Sequence, residues 1–216
     1  MPRIVRFHET GAAEVLQLED MPLAEPGEGE VRLKVEAIGL NRAEVLFRQG
    51  LYLETPQLPS RIGYEAAGVV DAVGGGVGNV KVGDRVSTIP SFAMGKYGVY
   101  GESAIVPAQA VAAYPDNLST VEGAAIWMQY LTAYGALVAI GKMKPAHAVL
   151  ITAASSSVGL AAIQIVKAAG ALAIATTRGP SKKEYLRSAG ADHVIVTDAE
   201  DLAQQTRNLT NGRGAD

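Results

Sequence analysis

The sequence predicts an α/β protein in which a β-rich N-terminal part precedes the first half of a doubly wound parallel sheet. Three observations carry this. Short β-branched segments punctuated by Gly and Pro fill roughly the first 115 residues. Capping signals and helical periodicity set in after Pro115. From Ala148 onward, strand-like and helix-like segments alternate at βαβ spacing.

In the N-terminal part, VRLKVEAIGL at 31–40 alternates apolar and polar over six residues, as a half-buried strand does. The stretch 66–89 is apolar, β-branched and broken by glycines, so it reads as strands and turns of a small barrel or sandwich. Within it, Gly74-Gly75-Gly76-Val77-Gly78 is followed by strand and turn rather than helix. No row of helix amides would face a ligand there, and the run is read as a β-turn. Ser119-Thr120-Val121-Glu122 has the form of a capping box and starts a helical segment through Trp127, with a break before helical pattern resumes towards Ile140. AVLIT at 148–152, ALAIATT at 171–177 and HVIV at 193–196 are three strands. Between the first two, Val158, Ala162, Ile165, Val166 and Ala169 share one helical face that stops at Gly170. Ser181-Lys182-Lys183-Glu184 reads as a second capping box, opening a helix that ends at Gly190, and another helix follows Asp198. The domains are therefore expected at 1–118 and 119–216.

Composition narrows the function. With 19 Lys and Arg against 22 Asp and Glu, the net charge is −3 and no basic block exists, which argues against a nucleic-acid partner. The chain has no cysteine, so disulfides, thiolate zinc sites, iron–sulfur clusters and a cysteine nucleophile are excluded together. The start MPRIVRFHE lacks the apolar core of a signal peptide, giving a cytoplasmic expectation. Ala148–Val166 carries no charge and is about bilayer length. Its polar middle, TAASSSVG, instead marks a strand, a turn and a packed helix, so no membrane partner is expected.

That turn is the candidate cofactor site. A small-residue turn between a first strand and its helix places amides and the positive helix end against a pyrophosphate. Here Ser155, Ser156, Ser157, Val158 and Gly159 occupy it. Ser156 stands where the middle glycine usually permits close approach, and Gly159 keeps the place of close helix–strand packing. An ordinary polar loop is the competing reading. About 20 residues further on, an NAD-preferring site would present a carboxylate. This chain has Thr176, Thr177 and Arg178, with Lys182 and Lys183 following. A 2′-phosphate could accept bidentate bonds from Arg178 and a charge from Lys182, so NADPH is expected over NADH, unless these are ordinary surface cations.

In the six-stranded dinucleotide fold the first strand lies between the second and the fourth. The sequence ends at Gly212-Arg213-Gly214-Ala215-Asp216, where a fourth strand would begin, which would leave 149–151 as an exposed apolar edge. A C-terminally incomplete chain, inactive by itself, is the expectation.

The motifs GLNRAEVLFRQGLY (39–52), GYEAAGVV (63–70), VKVGDRV (80–86), LTAYGAL (131–137) and TAASSSVG occur in the order seen in medium-chain dehydrogenases/reductases. Within that superfamily the chain resembles the zinc-independent quinone oxidoreductase-like branch. The resemblance implies a GroES-like catalytic domain beside a Rossmann domain, a site in the cleft between them, and a homodimer for the full-length protein. In zinc members of the superfamily, a Cys and a His stand where this chain has Asn41 and Tyr64. Amide and phenol do not replace thiolate and imidazole on Zn²⁺, so no zinc is expected.

Without a Lewis acid, a quinone or a conjugated enone or carbonyl is the suited substrate, since each takes hydride directly. The resemblance casts Asn41 as orienting the nicotinamide or substrate oxygen and Tyr52 as hydrogen-bonding the oxygen that gains charge. Tyr64 and Thr132 would line the cleft, Thr132 close to the nicotinamide. Against these roles, Asn41 is equally a turn residue at a strand end, Tyr52 could pack between Leu51 and Leu53, and Glu65 reads more readily as structural than as an acid–base group. A dinucleotide-binding sensor or structural protein on the same fold, and a divergent alcohol dehydrogenase, stand as alternatives.

Overall fold

The computed structural model describes residues 1–216 and divides into two compact units, Met1–Met128 and Gln129–Asp216. In the first, β1 (Arg3–Phe7), β2 (Gln17–Asp20), β3 (Glu30–Gly39), α1 (Arg42–Arg48), β4 (Ser60–Arg61), β5 (Glu65–Val73) and β6 (Arg85–Thr88) follow one another. Then come α2 (Met94–Tyr97), β7 (Ser103–Pro107), β8 (Val111–Ala113), α3 (Thr120–Gly123) and the start of α4 (Trp127–Tyr134). The strands form two antiparallel sheets, β2-β1-β4 and β7-β3-β5-β6-β8.

The alternation in 31–40 is real but interrupted. Register shifts at Arg32/Leu33 and Val35/Ala37 mark bulges between β3 and β5, and Val31, Arg32 and Leu33 are buried in succession. Arg32 tolerates burial because its guanidinium donates to Asp71 at 2.8 Å and to Glu25 and the Ala24 carbonyl at 2.9 Å. Phe7, Val31, Leu33, Phe47, Val70, Val86 and Val106 form the core of this unit. The Gly74–Gly76 run is a turn: Gly74 N–H donates to the Glu30 carbonyl, and Gly29 N–H to that of Gly75.

The capping box forms as expected. Ser119 Oγ accepts the Glu122 N–H, and the Glu122 carboxylate accepts from the Ser119 N–H at 2.8 Å. Those bonds to Ser119 hold the exposed Glu122 carboxyl below its ordinary range. The helical run 120–140 is long and apolar enough to cross a membrane by length and mean hydropathy alone, with 17% of its apolar window buried. It is broken at 124–126 and widens into a π-helical turn over Gly135–Ile140.

The second unit contains β9 (Ala148–Ile151), α5 (Ser157–Ala168), β10 (Leu172–Thr177), α6 (Lys183–Ser188), β11 (His193–Val196) and α7 (Leu202–Leu209). Its three strands are parallel, in the order β11-β10-β9, the arrangement of the first half of a doubly wound sheet. At the outer edge of β9, Asp216 N–H donates to the Ala148 carbonyl, and its carboxylate accepts the Ala148 N–H. Val149 and Leu150 on that strand are half-buried.

Two local expectations are corrected. The buried face of α5 runs through Gly159, Ala161, Ala162, Ile163 and Val166, while Val158, Ile165 and Ala169 are only half-buried. Outside a polar side of Ser157, Gln164 and Lys167 the apolar arc is wide, so periodicity does not fix the centre of the face that meets the sheet. Ser181 does not cap α6. Pro180 opens a 3₁₀ turn over Pro180–Lys182, so α6 starts from Lys182 without a side-chain cap.

Candidate functional site

In the second unit the site is built at the C-terminal ends of the parallel strands. Ser156 has extended backbone angles and is the N-cap of α5, its Oγ accepting the Gly159 N–H at 3.1 Å. The next two amides, of Ser157 and Val158, open the helix and have no intrahelical acceptor. A Cβ on Gly159 would lie 2.6 Å from the backbone of Ala154, so only glycine lets helix and turn approach this closely. Ala153 takes a left-handed conformation, φ 47°, which turns the chain from β9 into this cap.

Beside the turn lies a cavity of about 600 Å³. Its walls are Ala153 and Ser155 from the turn, Thr176, Thr177, Arg178 and Gly179 from the end of β10, Ser181 and Lys182, and Thr197 and Asp198 after β11. Lys182 Nζ donates to Ser155 Oγ at 3.0 Å, joining the two sides of the wall. Thr177 Oγ1 donates to the Gly179 carbonyl, which shapes the bend after β10. Arg178 is exposed at the rim. The end of β10 thus offers hydroxyls and a guanidinium and no carboxylate, and the acid on the wall, Asp198, comes from the neighbouring strand. These residues fit a dinucleotide: amides and a helix end for a pyrophosphate, and cations for a further phosphate.

The first unit holds a second cluster, around Tyr64 and Glu65. Glu65, at the start of β5, is 2% exposed. Its Oε2 accepts from Asn41 Nδ2 at 2.8 Å, and its Oε1 accepts the N–H groups of Trp127 and Met128 at 2.9 and 2.8 Å. It therefore caps α4 from another strand and fixes the Asn41 amide. Because a carboxylate only accepts, the amino end of Asn41 must face it, leaving Oδ1 as the acceptor on the other side.

Tyr64 follows Gly63, whose φ of 106° and lack of a Cβ make room for the Tyr100 ring. Its main chain is held from both sides: Glu44 Oε1 accepts its N–H at 3.1 Å, and Thr88 Oγ1 donates to its carbonyl at 2.8 Å. The same Thr88 oxygen accepts the Ala66 N–H at 2.8 Å. The Tyr64 ring packs between Tyr52 and Phe92, with centroid distances of 6.3 and 5.7 Å. Burial, then the proximity of Tyr52 and Glu54, pushes its phenol well above the ordinary tyrosine value, so it stays protonated.

Comparison with known proteins bears on both units. The family described as alcohol dehydrogenase GroES-like domain matches residues 27–116, and the family described as zinc-binding dehydrogenase matches residues 157–216. The quinone oxidoreductase of Salmonella typhimurium is 37% identical over 209 residues, 97% of this chain and 62% of its own length. A solved NAD-dependent alcohol dehydrogenase superposes with a TM-score of 0.89 at 35% identity, over 99% of this chain and 69% of that one. The chain belongs to the medium-chain dehydrogenase/reductase family, in its quinone oxidoreductase-like branch.

Within this family, the solved Escherichia coli quinone oxidoreductase complexed with NADPH superposes with a TM-score of 0.87 at 36% identity. That match covers 98% of this chain and 63% of the other. The chain thus spans about three-fifths of the length of the curated quinone oxidoreductases it matches, 62% for the Salmonella protein. Its first unit contains the GroES-like domain, and its second carries a parallel sheet of Rossmann type.

The expected site residues fall into separate groups. Ser155, Thr177, Arg178 and Lys182 come together on the cavity wall; Ser156, Ser157, Val158 and Gly159 form the helix start beside it. Thr132 lies exposed on α4 and is not on that wall. Asn41 is half-buried and tied to Glu65, Tyr52 is half-buried, and Tyr64 is buried behind it. Sequence reasoning missed Thr197 and Asp198, which only the parallel pairing of β10 and β11 brings to the cavity. It also missed Glu44 and Thr88, whose partner Tyr64 is 20 and 24 residues away in sequence.

Proposed function

We propose that this protein is a zinc-independent oxidoreductase that uses NADPH to reduce a quinone or a conjugated enone or carbonyl compound. The observation that carries the reading is the cavity at the end of β10, where Arg178 and Lys182 stand beside the α5 cap and β10 supplies no carboxylate. That arrangement favours a 2′-phosphate over a bare ribose. It agrees with the NADPH bound by the Escherichia coli relative.

When bound, the nicotinamide supplies a hydride, and reduction of a quinone needs one proton besides. The chain's own residues bind, orient and donate. Ser157, Val158 and the α5 end hold the pyrophosphate, while Ser155, Thr177, Arg178 and Lys182 hold the phosphorylated ribose. Asn41, locked by Glu65, presents Oδ1 to a donor such as a carboxamide N–H, and Thr132 is assigned to the nicotinamide as well. Tyr52 donates its phenol hydrogen to the substrate oxygen that gains charge, with Tyr64 as a protonated neighbour. The donor chemistry supports work without a catalytic metal. The positions taken by Cys and His in zinc members carry an amide already bonded to a carboxylate and a buried phenol, neither a competent zinc ligand. The same reading has the protein act in the cytoplasm, as a homodimer, on a small molecule rather than on nucleic acid or a membrane.

Stopped-flow loss of NADPH absorbance on mixing with a quinone tests it. Rapid loss with NADPH, slower loss with NADH, and slower turnover in Tyr52→Phe at unchanged NADPH affinity are expected. Tight NADPH binding without oxidation by any quinone or enone would make the protein a dinucleotide-binding sensor. Stoichiometric, activity-linked zinc would make it a divergent alcohol dehydrogenase.

A further inference from the structure

Two buried carboxyl groups flank Asn41 in the first unit, and they are bonded very differently. Both oxygens of Glu65 accept from named donors. Glu44, third residue of α1 and 4% exposed, has one oxygen on the Tyr64 N–H, while its Oε2 is buried with no hydrogen-bond partner. The polar and ionisable groups around it are Asn41 on its own helix, Tyr64 and Tyr100 packed against it, Tyr52 and Glu54 beyond Tyr64, and Glu65 near Tyr100. No cation is among them. A carboxylate here keeps donors from the Tyr64 and Glu44 main chain and from Asn41, yet burial outweighs them and its bare Oε2 regains nothing for the water it has lost.

Donor counting points the same way. The Tyr100 hydroxyl has a single hydrogen, and it goes to the Gly39 carbonyl at 2.9 Å. Towards Glu44, Tyr100 can therefore offer only lone pairs, which an acid proton satisfies and a carboxylate does not.

We propose that Glu44 is a neutral carboxylic acid acting as a positioning residue. Oε1 grips the Tyr64 main chain, and Oε2 carries a proton turned towards Tyr100, so that Asn41 and the Tyr64 ring keep a fixed place beside Tyr52. The upward shift of the Glu44 carboxyl, caused chiefly by burial, agrees with this state. The consequence for turnover rests on the function proposed above; the protonation state does not.

The sign of the pH dependence separates the possibilities. A carboxyl protonated in the fold, with its folded pKa above the unfolded value of about 4.3, adds stability that is complete below that value and is lost as pH rises through the folded one. Thermal midpoints of the wild type and Glu44→Gln should be compared from acid to mildly alkaline pH. The wild type should hold its best margin over Glu44→Gln at the acid end and lose it as pH rises; a margin that grows with pH would show an ionised Glu44 and overturn the proposal. Gln can accept from Tyr64 and donate to Tyr100, so Glu44→Gln should keep kcat at neutral pH. Glu44→Ala should lower kcat roughly ten- to hundred-fold with NADPH affinity unchanged. Where no turnover is found at all, the proposed function fails, and fluorotyrosine at position 64 still reports. Its ¹⁹F resonance should broaden or shift in Glu44→Ala and stay in place in Glu44→Gln. Equal spectra in all three proteins, or equal losses of kcat in both variants, would remove Glu44 from the positioning role.

Discussion

In the first unit the carboxylate of Glu65 is enclosed by three donors, from Asn41, Trp127 and Met128, and almost no water reaches it. In the second, Arg178 stands exposed at the rim of a cavity, and the first amides of α5 point into a turn of small residues. Both clusters are polar and both sit where strands meet helices, yet they serve opposite ends. Around Glu65 the hydrogen-bonding capacity is used within the protein, so the cluster sets the geometry of its neighbours. Around α5 the capacity is open, so the cluster can take a ligand. A polar residue near a strand end is thus a weak guide to function until its partners are known.

The contrast can be broken at three points. Glu65→Ala should have the largest effect, because it strands three partly or fully buried donors, with an expected loss of at least about 3 kcal/mol in urea unfolding. A loss under about 1 kcal/mol would mean that water replaces the carboxylate, and the enclosure described for Glu65 would be wrong. Arg178→Ala should leave stability unchanged and weaken NADPH by roughly ten- to hundred-fold, the worth of a charge-assisted bond of about 1.5–3 kcal/mol, with NADH affected less. Fluorescence titration with both nucleotides reads it; equal weakening of the two would take Arg178 off the 2′-phosphate. Ser119→Ala should have the smallest effect, about 1 kcal/mol of stability with no change in nucleotide affinity, since it removes one exposed cap. A nucleotide effect from that change would show that the capping box reaches beyond its own helix.

Much of this was legible from local pattern. The strands at 148–151, 172–177 and 193–196, their helices, the turn at 74–76 and the Ser119 cap each depend on neighbours within a few residues, and each formed as the sequence suggests. The cap assigned to Ser181 failed because Pro180 imposes its own turn one residue earlier. The expected α5 face is off-centre because the apolar arc of this helix is wider than the side that is fully buried. Glu44 was illegible for another reason. In NRAEVLF it looks like a helix-surface acid, and its contacts with Tyr64 and Tyr100 are made far away in sequence. The chemistry of the Glu65 environment was half legible: with no zinc expected for it to serve, a structural role follows, but its three partners could not be named.

The hydroxyl of Thr88 has an outcome of its own. One oxygen both receives the Ala66 N–H and gives its hydrogen to the Tyr64 carbonyl, standing in as a rung at the mouth of β5. Valine has the same silhouette but no such atom, so a shape-preserving Thr88→Val replacement would unzip that corner. The Ala66 amide, sheltered from solvent deuterium as long as the rung holds, would register the change first.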